Sequence, residues 1–229
     1  INEYSAGDII IDNADPITEA QPGNAAAISA YSMGGYVGIT NQAGANLDVS
    51  STGGSAIGIY GYSAGGNVVI NNAADIQAYA AAGLADGIFA SGANVDVSNS
   101  GAISADGLNW AAGIEAQAGD VLTVGNSGDI TVSTYAMQAH AYGIYATGTD
   151  VTVVNSGAIA VQGYYATGIE ARSYGDIHID NSGNITAGTP TDSAVATGIN
   201  ATSGGEGAVV AVTNSGNIDA NAYYGGTGI

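Results

Sequence analysis

The chain of 229 residues contains no cysteine and no lysine, and Arg172 is its single arginine. Without cysteine, disulfides contribute nothing to stability, which fits a chain exported unfolded. One arginine stands against 20 acidic residues, giving a net charge of −19. That balance excludes nucleic acid and anionic membrane as partners, because both are held by Lys and Arg. It suits a soluble, self-repelling surface. No apolar run approaches the length that crosses a bilayer as a helix, so direct membrane insertion by this segment is not expected. Sustained 3.6-residue periodicity is also missing. The 37 glycines fall inside every possible helical window, and each costs about 1 kcal/mol relative to alanine in a helix. A helical fold is therefore excluded.

What the chain does have is a repeat. Asn-Ser-Gly occurs at Asn99, Asn126, Asn155, Asn181 and Asn214, and an isoleucine follows each Asn by four residues, at Ile103, Ile130, Ile159, Ile185 and Ile218. Degenerate copies start at Asn13 and Asn72, and Asn41 fits with a two-residue insertion before Leu47. A second marker, an isoleucine usually preceded by Gly, recurs at Ile1, Ile28, Ile59, Ile88, Ile114, Ile144, Ile169, Ile199 and Ile229. Its spacing runs from 25 to 31 residues and averages 28.5 over eight repeats. Self-similarity at this period marks a repeat architecture.

Within the repeat that begins at Ile169, the runs Ile169–Ser173, Asp176–Asn181 and Asn184–Ala187 alternate apolar residues with others. A strand facing a core on one side requires that alternation. The breaks carry Gly, Ser, Asn and Asp, which are turn residues. Three short strands per repeat without hairpin alternation predict an all-β fold, a single-stranded parallel β-helix (β-solenoid). About eight coils over residues 1–229 make a rod of roughly 40 Å.

Equivalent residues then stack in columns. Asn13, Asn41, Asn72, Asn99, Asn126, Asn155, Asn181 and Asn214 form one of them. Alternation turns Asn99 to the same side as Val95 and Val97, and an inward amide must be hydrogen-bonded. The expectation is a structural Asn ladder from coil to coil, as in cross-β stacks. The alternative is a row of exposed Asx turns. Ile1 through Asn13 aligns without a gap to Ile169 through Asn181, and neither end carries a polar capping element. That pattern fits a window of a longer rod, or a filament subunit whose open coils stack on further copies of itself.

The pattern Gly-Ile-x-Ala…Val-x-Val-x-Asn-Ser-Gly-x-Ile-x-Ala resembles the passenger repeats of bacterial autotransporters and related large surface adhesins, over essentially the whole chain. The resemblance implies a right-handed helix, secretion to the bacterial cell surface, and an adhesive or structural role. The C-terminal membrane barrel of such proteins does not occur in these residues.

Candidate chemistry is sparse. Glu115 and Glu170 fall two coils apart in one outward column, with Tyr145 between them and Arg172 nearby. Two carboxyls about 9–10 Å apart lie near the inverting glycosidase range, so a polysaccharide-degrading β-helix enzyme is one reading. Solvated glutamates on an outer face are the other, and no catalytic residue is assigned. His140 falls in a variable loop and His178 on an outward strand position, without a nucleophile elbow. Asp120, Asp150 and Asp176 occupy one turn in successive coils. Such a row is satisfied either by Ca2+ with oxygen ligands or by Asx turns; no other cofactor is expected. The 14 tyrosines are the best sign of binding. Tyr79, Trp110, Tyr135, Tyr142, Tyr164, Tyr165, Tyr223 and Tyr224 are assigned to the long third turns, where amphipathic rings make a contact edge. The functional expectation is a non-catalytic extracellular rod that contacts a host or neighbouring-cell surface protein or glycan through this edge.

Overall fold

The computed structural model describes residues 1–188 and 193–229. Among them the strands form three parallel sheets, one of nine strands and two of eight, and no helix occurs. Each strand pairs with its equivalents in the adjacent coils, the terminal strands of each sheet on one side only, so each sheet contains every third strand of the chain. The protein is a parallel β-solenoid.

Register is in phase from coil to coil. In the first sheet Ile28, Ile59, Ile88, Ile114, Ile144, Ile169 and Ile199 are successive partners. In the second, Ile11, Ile39, Ile70, Val97, Val124, Val153, Ile179 and Val212 pair in order. The third stacks Ile17, Leu47, Ile76, Ile103, Ile130, Ile159, Ile185 and Ile218. The three columns meet in one continuous core. β-Branched side chains suit such a stack because their χ1 is already restricted.

The second-sheet strands end in an amide ladder. Each Asn Nδ2 donates to the Oδ1 of the Asn one coil further on, from Asn13 through Asn41, Asn72, Asn99, Asn126, Asn155 and Asn181 to Asn214, at 2.6–2.8 Å. The second amide hydrogen goes to the turn: Asn99 to Gly101 O, Asn126 to Gly128 O and Asn155 to Gly157 O, each at 2.8 Å. Both donors of these buried amides are thus used, and the head-to-tail dipoles polarise one another.

The first sheet departs from the sequence expectation. Its strands do not begin at the marker isoleucine but three or four residues earlier, as in Ala56–Ser63, Leu84–Gly92 and Trp110–Ala118. At the Gly-Ile step two successive residues are buried, for example Gly87 and Ile88. Glycine permits this. A Cβ on Gly113 would lie 2.3 Å from Ile130 Cγ2 and 2.7 Å from Gly143 O. Gly58, Gly87, Gly143, Gly168 and Gly198 face the same obstruction from Ile76, Ile103, Ile159, Ile185 and Ile218. Ala27 takes the glycine position in the one coil where Leu47, which has no Cγ2, takes the isoleucine position. Because alternation skips a residue here, outward side chains on both sides of the step converge. The rings of Tyr142 and Tyr145 lie 5.0 Å apart across it. The outer face of the first sheet is a crease that follows the rod.

Candidate functional site

The crease gathers most of the chemistry in the molecule. On one side of the Gly-Ile step its rungs are Ala26, Ile57, Asp86, Ala112, Tyr142, Thr167 and Thr197. On the other they are Asn2, Ser29, Tyr60, Phe89, Glu115, Tyr145, Glu170 and Asn200. A further row above the first side holds Leu84, Trp110, His140, Tyr165 and Val195.

The middle of the crease is filled. Trp110 packs on Tyr142 at 4.9 Å and edge-on to Tyr145 at 5.6 Å, while His140 stacks on Tyr165 at 4.7 Å. Trp110, Tyr142 and Tyr165 therefore belong to first-sheet strands, not to the third turns assigned from the sequence, and Tyr142 is buried. His140 likewise opens the strand His140–Gly148 instead of lying in a loop. Its Nδ1 is 3.2 Å from the Tyr142 hydroxyl. Burial, then the nearby Arg172 charge, hold the imidazole pKa below its ordinary value. Burial, then Glu170, push the Tyr142 phenol up to about 12.

The acids here are enclosed, which overturns the expectation of solvated glutamates. Glu115 is 9% and Glu170 3% exposed. Glu170 accepts from Arg172 Nε at 2.7 Å and from Asn200 Nδ2 at 3.0 Å on both oxygens. The Arg172 guanidinium lies 5.8 Å from the centre of the Tyr145 ring. Glu115 accepts from Gln117 at 2.6 Å. Asp86, which the sequence reading passed over, is 2% exposed and its Oδ1 has no hydrogen-bond partner. The signal was available: it is the one acid in a row otherwise apolar, small or hydroxylated. Desolvation, then the Glu115 charge, raise its pKa well above the usual carboxylate range, and burial raises that of Glu115.

A carboxyl that stays protonated longer in the folded state favours folding at low pH, and the advantage is lost as pH rises from its unfolded value through the folded one. Asp86→Asn is therefore expected to stabilise the fold by more than about 1 kcal/mol at pH 7. The gain should shrink towards zero as pH falls below about 4. Urea unfolding of both proteins across that range checks it; a gain independent of pH would contradict the assignment.

Over the small residues Ala26 and Ser29 the crease is unfilled. A cavity of about 560 Å3 lies between Ala26 and Ile57 on one side and Ser29 and Tyr60 on the other, with Asn24 and Ser55 at its rim. It forms where small residues give way to large ones, from Ser29 to Tyr60 and from Ala26 to Ile57.

Elsewhere the predicted residues separate. Tyr79, Tyr135, Tyr223 and Tyr224 are exposed, Tyr79 at the end of a third-sheet strand and the others on the turn edge. Tyr135 and Tyr164 line a second cavity of about 510 Å3 on that edge with Met137 and Gln162. The nearby Gln138 holds a φ of 65°, a left-handed conformation uncommon for such a side chain. Asp150 Oδ1 accepts the backbone N–H of Asp176, and Asp176 Oδ1 that of Val209, each at 2.8 Å. These carboxylates tie one coil to the next, as Asp8 does with Tyr36 N at 2.8 Å. No group of three or more His, Cys, Asp or Glu side chains suited to a metal ion occurs among the described residues. Asp120 meets its neighbours through its backbone, its carbonyl accepting from Thr149 N at 2.8 Å and from Asp150 N at 3.2 Å.

Comparison with protein-family models, curated proteins and solved structures found no match. The fold defines the class of this protein, a parallel β-solenoid.

Proposed function

We propose that the chain is a non-catalytic, extracellular adhesive rod of a bacterial surface protein, and that its turn edge contacts a host or neighbouring-cell surface. One observation carries the reading: the 510 Å3 cavity on that edge, between Tyr135 and Tyr164 and beside the 83%-exposed Met137. Amphipathic rings with few rotatable bonds, held on a rigid frame, bind at low entropic cost. The non-catalytic half of the reading is supported by the state of the carboxyls. Glu115 and Glu170, the pair a glycosidase would use, are enclosed by aromatic rings and engaged by Gln117, Arg172 and Asn200.

The double variant Tyr135→Ser, Tyr164→Ser is expected to lower binding of chain-coated beads to target cells by about tenfold or more. Its unfolding free energy should fall by no more than about 2 kcal/mol, because Tyr135 is exposed and Tyr164 is half-buried with an edge-on contact to Tyr165 at 4.9 Å. Undiminished bead binding would remove the turn edge from the account.

A further inference from the structure

We propose that the unfilled stretch of the crease over Ser29 is a saccharide site, and that it takes a pyranose ring of an uncharged or amine-bearing glycan on the free face of Tyr60. The proposal rests on the adhesive reading above and gives it a ligand class at a second surface.

The geometry is that of an unfinished stack. Tyr60 and Phe89 lie parallel, 5.1 Å apart with 6° between their planes. Phe89 is the rung after Tyr60, so it covers one face of the Tyr60 ring. The rung before is Ser29, which covers nothing. The cavity occupies that place, bounded by Tyr60, Ser29, Ala26 and Ile57. A flat, partly apolar ring entering there continues the column as a further rung. In the neighbouring row the chain does this with its own side chains, where Tyr4, Tyr31 and Tyr62 stack at 5.2 and 4.8 Å.

The surroundings select among flat ligands. The rim and floor present the amides Asn2, Asn24 and Gln21 and the hydroxyls Ser29 and Ser55, donors and acceptors suited to a ring that carries hydroxyls on its edge. The volume is within the range of small-molecule sites, and an apolar wall with a few polar groups is their usual make-up. Charge excludes anionic glycans and nucleotides: Glu19 is the one charged side chain lining the cavity, and the molecule's single arginine is paired to Glu170.

The test is titration calorimetry of the chain with cello-, xylo- and chitosan oligosaccharides and, as the anionic arm, oligogalacturonate. Binding of at least one of the first three is expected, with oligogalacturonate silent. Ser29→Tyr fills the cavity by adding the missing rung, a substitution that the Tyr60–Phe89 stack shows the row accommodates. It should weaken that binding by about tenfold or more while leaving the melting temperature at or above that of the parent. Tyr60→Ala should weaken it similarly. Tyr135→Ser, Tyr164→Ser should leave it unchanged, so loss of the saccharide site and loss of the turn-edge contact read out separately. No binding of any neutral or amine-bearing probe, stronger binding of oligogalacturonate, or binding untouched by Ser29→Tyr would each overturn the proposal.

Discussion

Replacing Asn126 with alanine is expected to destabilise the fold by about 3–5 kcal/mol, a large effect for one amide. Asn126 donates to Asn155 Oδ1 at 2.7 Å and to Gly128 O at 2.8 Å, and it accepts from Asn99 Nδ2 at 2.7 Å. Alanine leaves all three partners unsatisfied in a region that water does not reach, and each buried orphan costs about 1–3 kcal/mol. The loss also interrupts a chain of aligned dipoles. Asn13→Ala removes two donations, to Asn41 Oδ1 and Asp15 O, in the first coil of the ladder. It should cost clearly less. Urea midpoints of the two variants give the comparison, and equal costs would mean that position in the ladder does not matter.

Gly157→Ala should cost about 3 kcal/mol or more for a steric reason. A Cβ at Gly157 would stand 2.0 Å from Gly128 O and 2.6 Å from its carbon. Gly101, Gly128, Gly183 and Gly216 meet the carbonyl of the preceding rung at 1.9–2.0 Å in the same way. The obstacle is backbone already fixed by the ladders, so it cannot swing aside as a side chain would. None of these glycines has a positive φ. The third residue of the Asn-Ser-Gly marker is thus required by the closeness of successive turns and not by left-handed backbone. Gly125→Ala is the control. Its nearest neighbour would be Val97 O at 4.0 Å, and its cost should stay within about 0.5 kcal/mol. Thermal unfolding of the pair decides the matter.

The fold was legible because stacking makes each position choose the same kind of residue in every coil. Asn, Gly and Ile recur at a fixed phase, and strand alternation then says which of them face inward. The crease was harder to see. The Gly-Ile marker reads as the start of a strand, whereas it is the bend within one. A second column carried the missing information: Ala25, Ala56, Ala85, Ala111, Ala141, Ala166 and Ala196 precede each isoleucine by three residues, and all are buried. Inward small residues at that offset place a strand upstream of the bend.

That misplacement propagated to the site. With the strand start set too late, Trp110, Tyr142, Tyr165 and His140 fell into turns and Asp86 into none of the columns considered. The acids Glu115 and Glu170 were found in the right row, two coils apart through Tyr145. Their burial was not readable, because it comes from rings contributed by the far side of the crease. Pairwise spacing along one column says how far apart two carboxyls are. It does not say what leans over them.

The direct measurement of the central claim is the NMR signature of the asparagine side-chain amides in the intact chain. Cross-coil contacts between Nδ2 protons are expected in the order Asn72, Asn99, Asn126, Asn155, Asn181, with exchange against deuterated water slowed well beyond that of exposed amides such as Gln42. Asparagine amides that exchange at the exposed rate, or that show contacts to residues outside the column, would contradict a solenoid in which like residue lies on like.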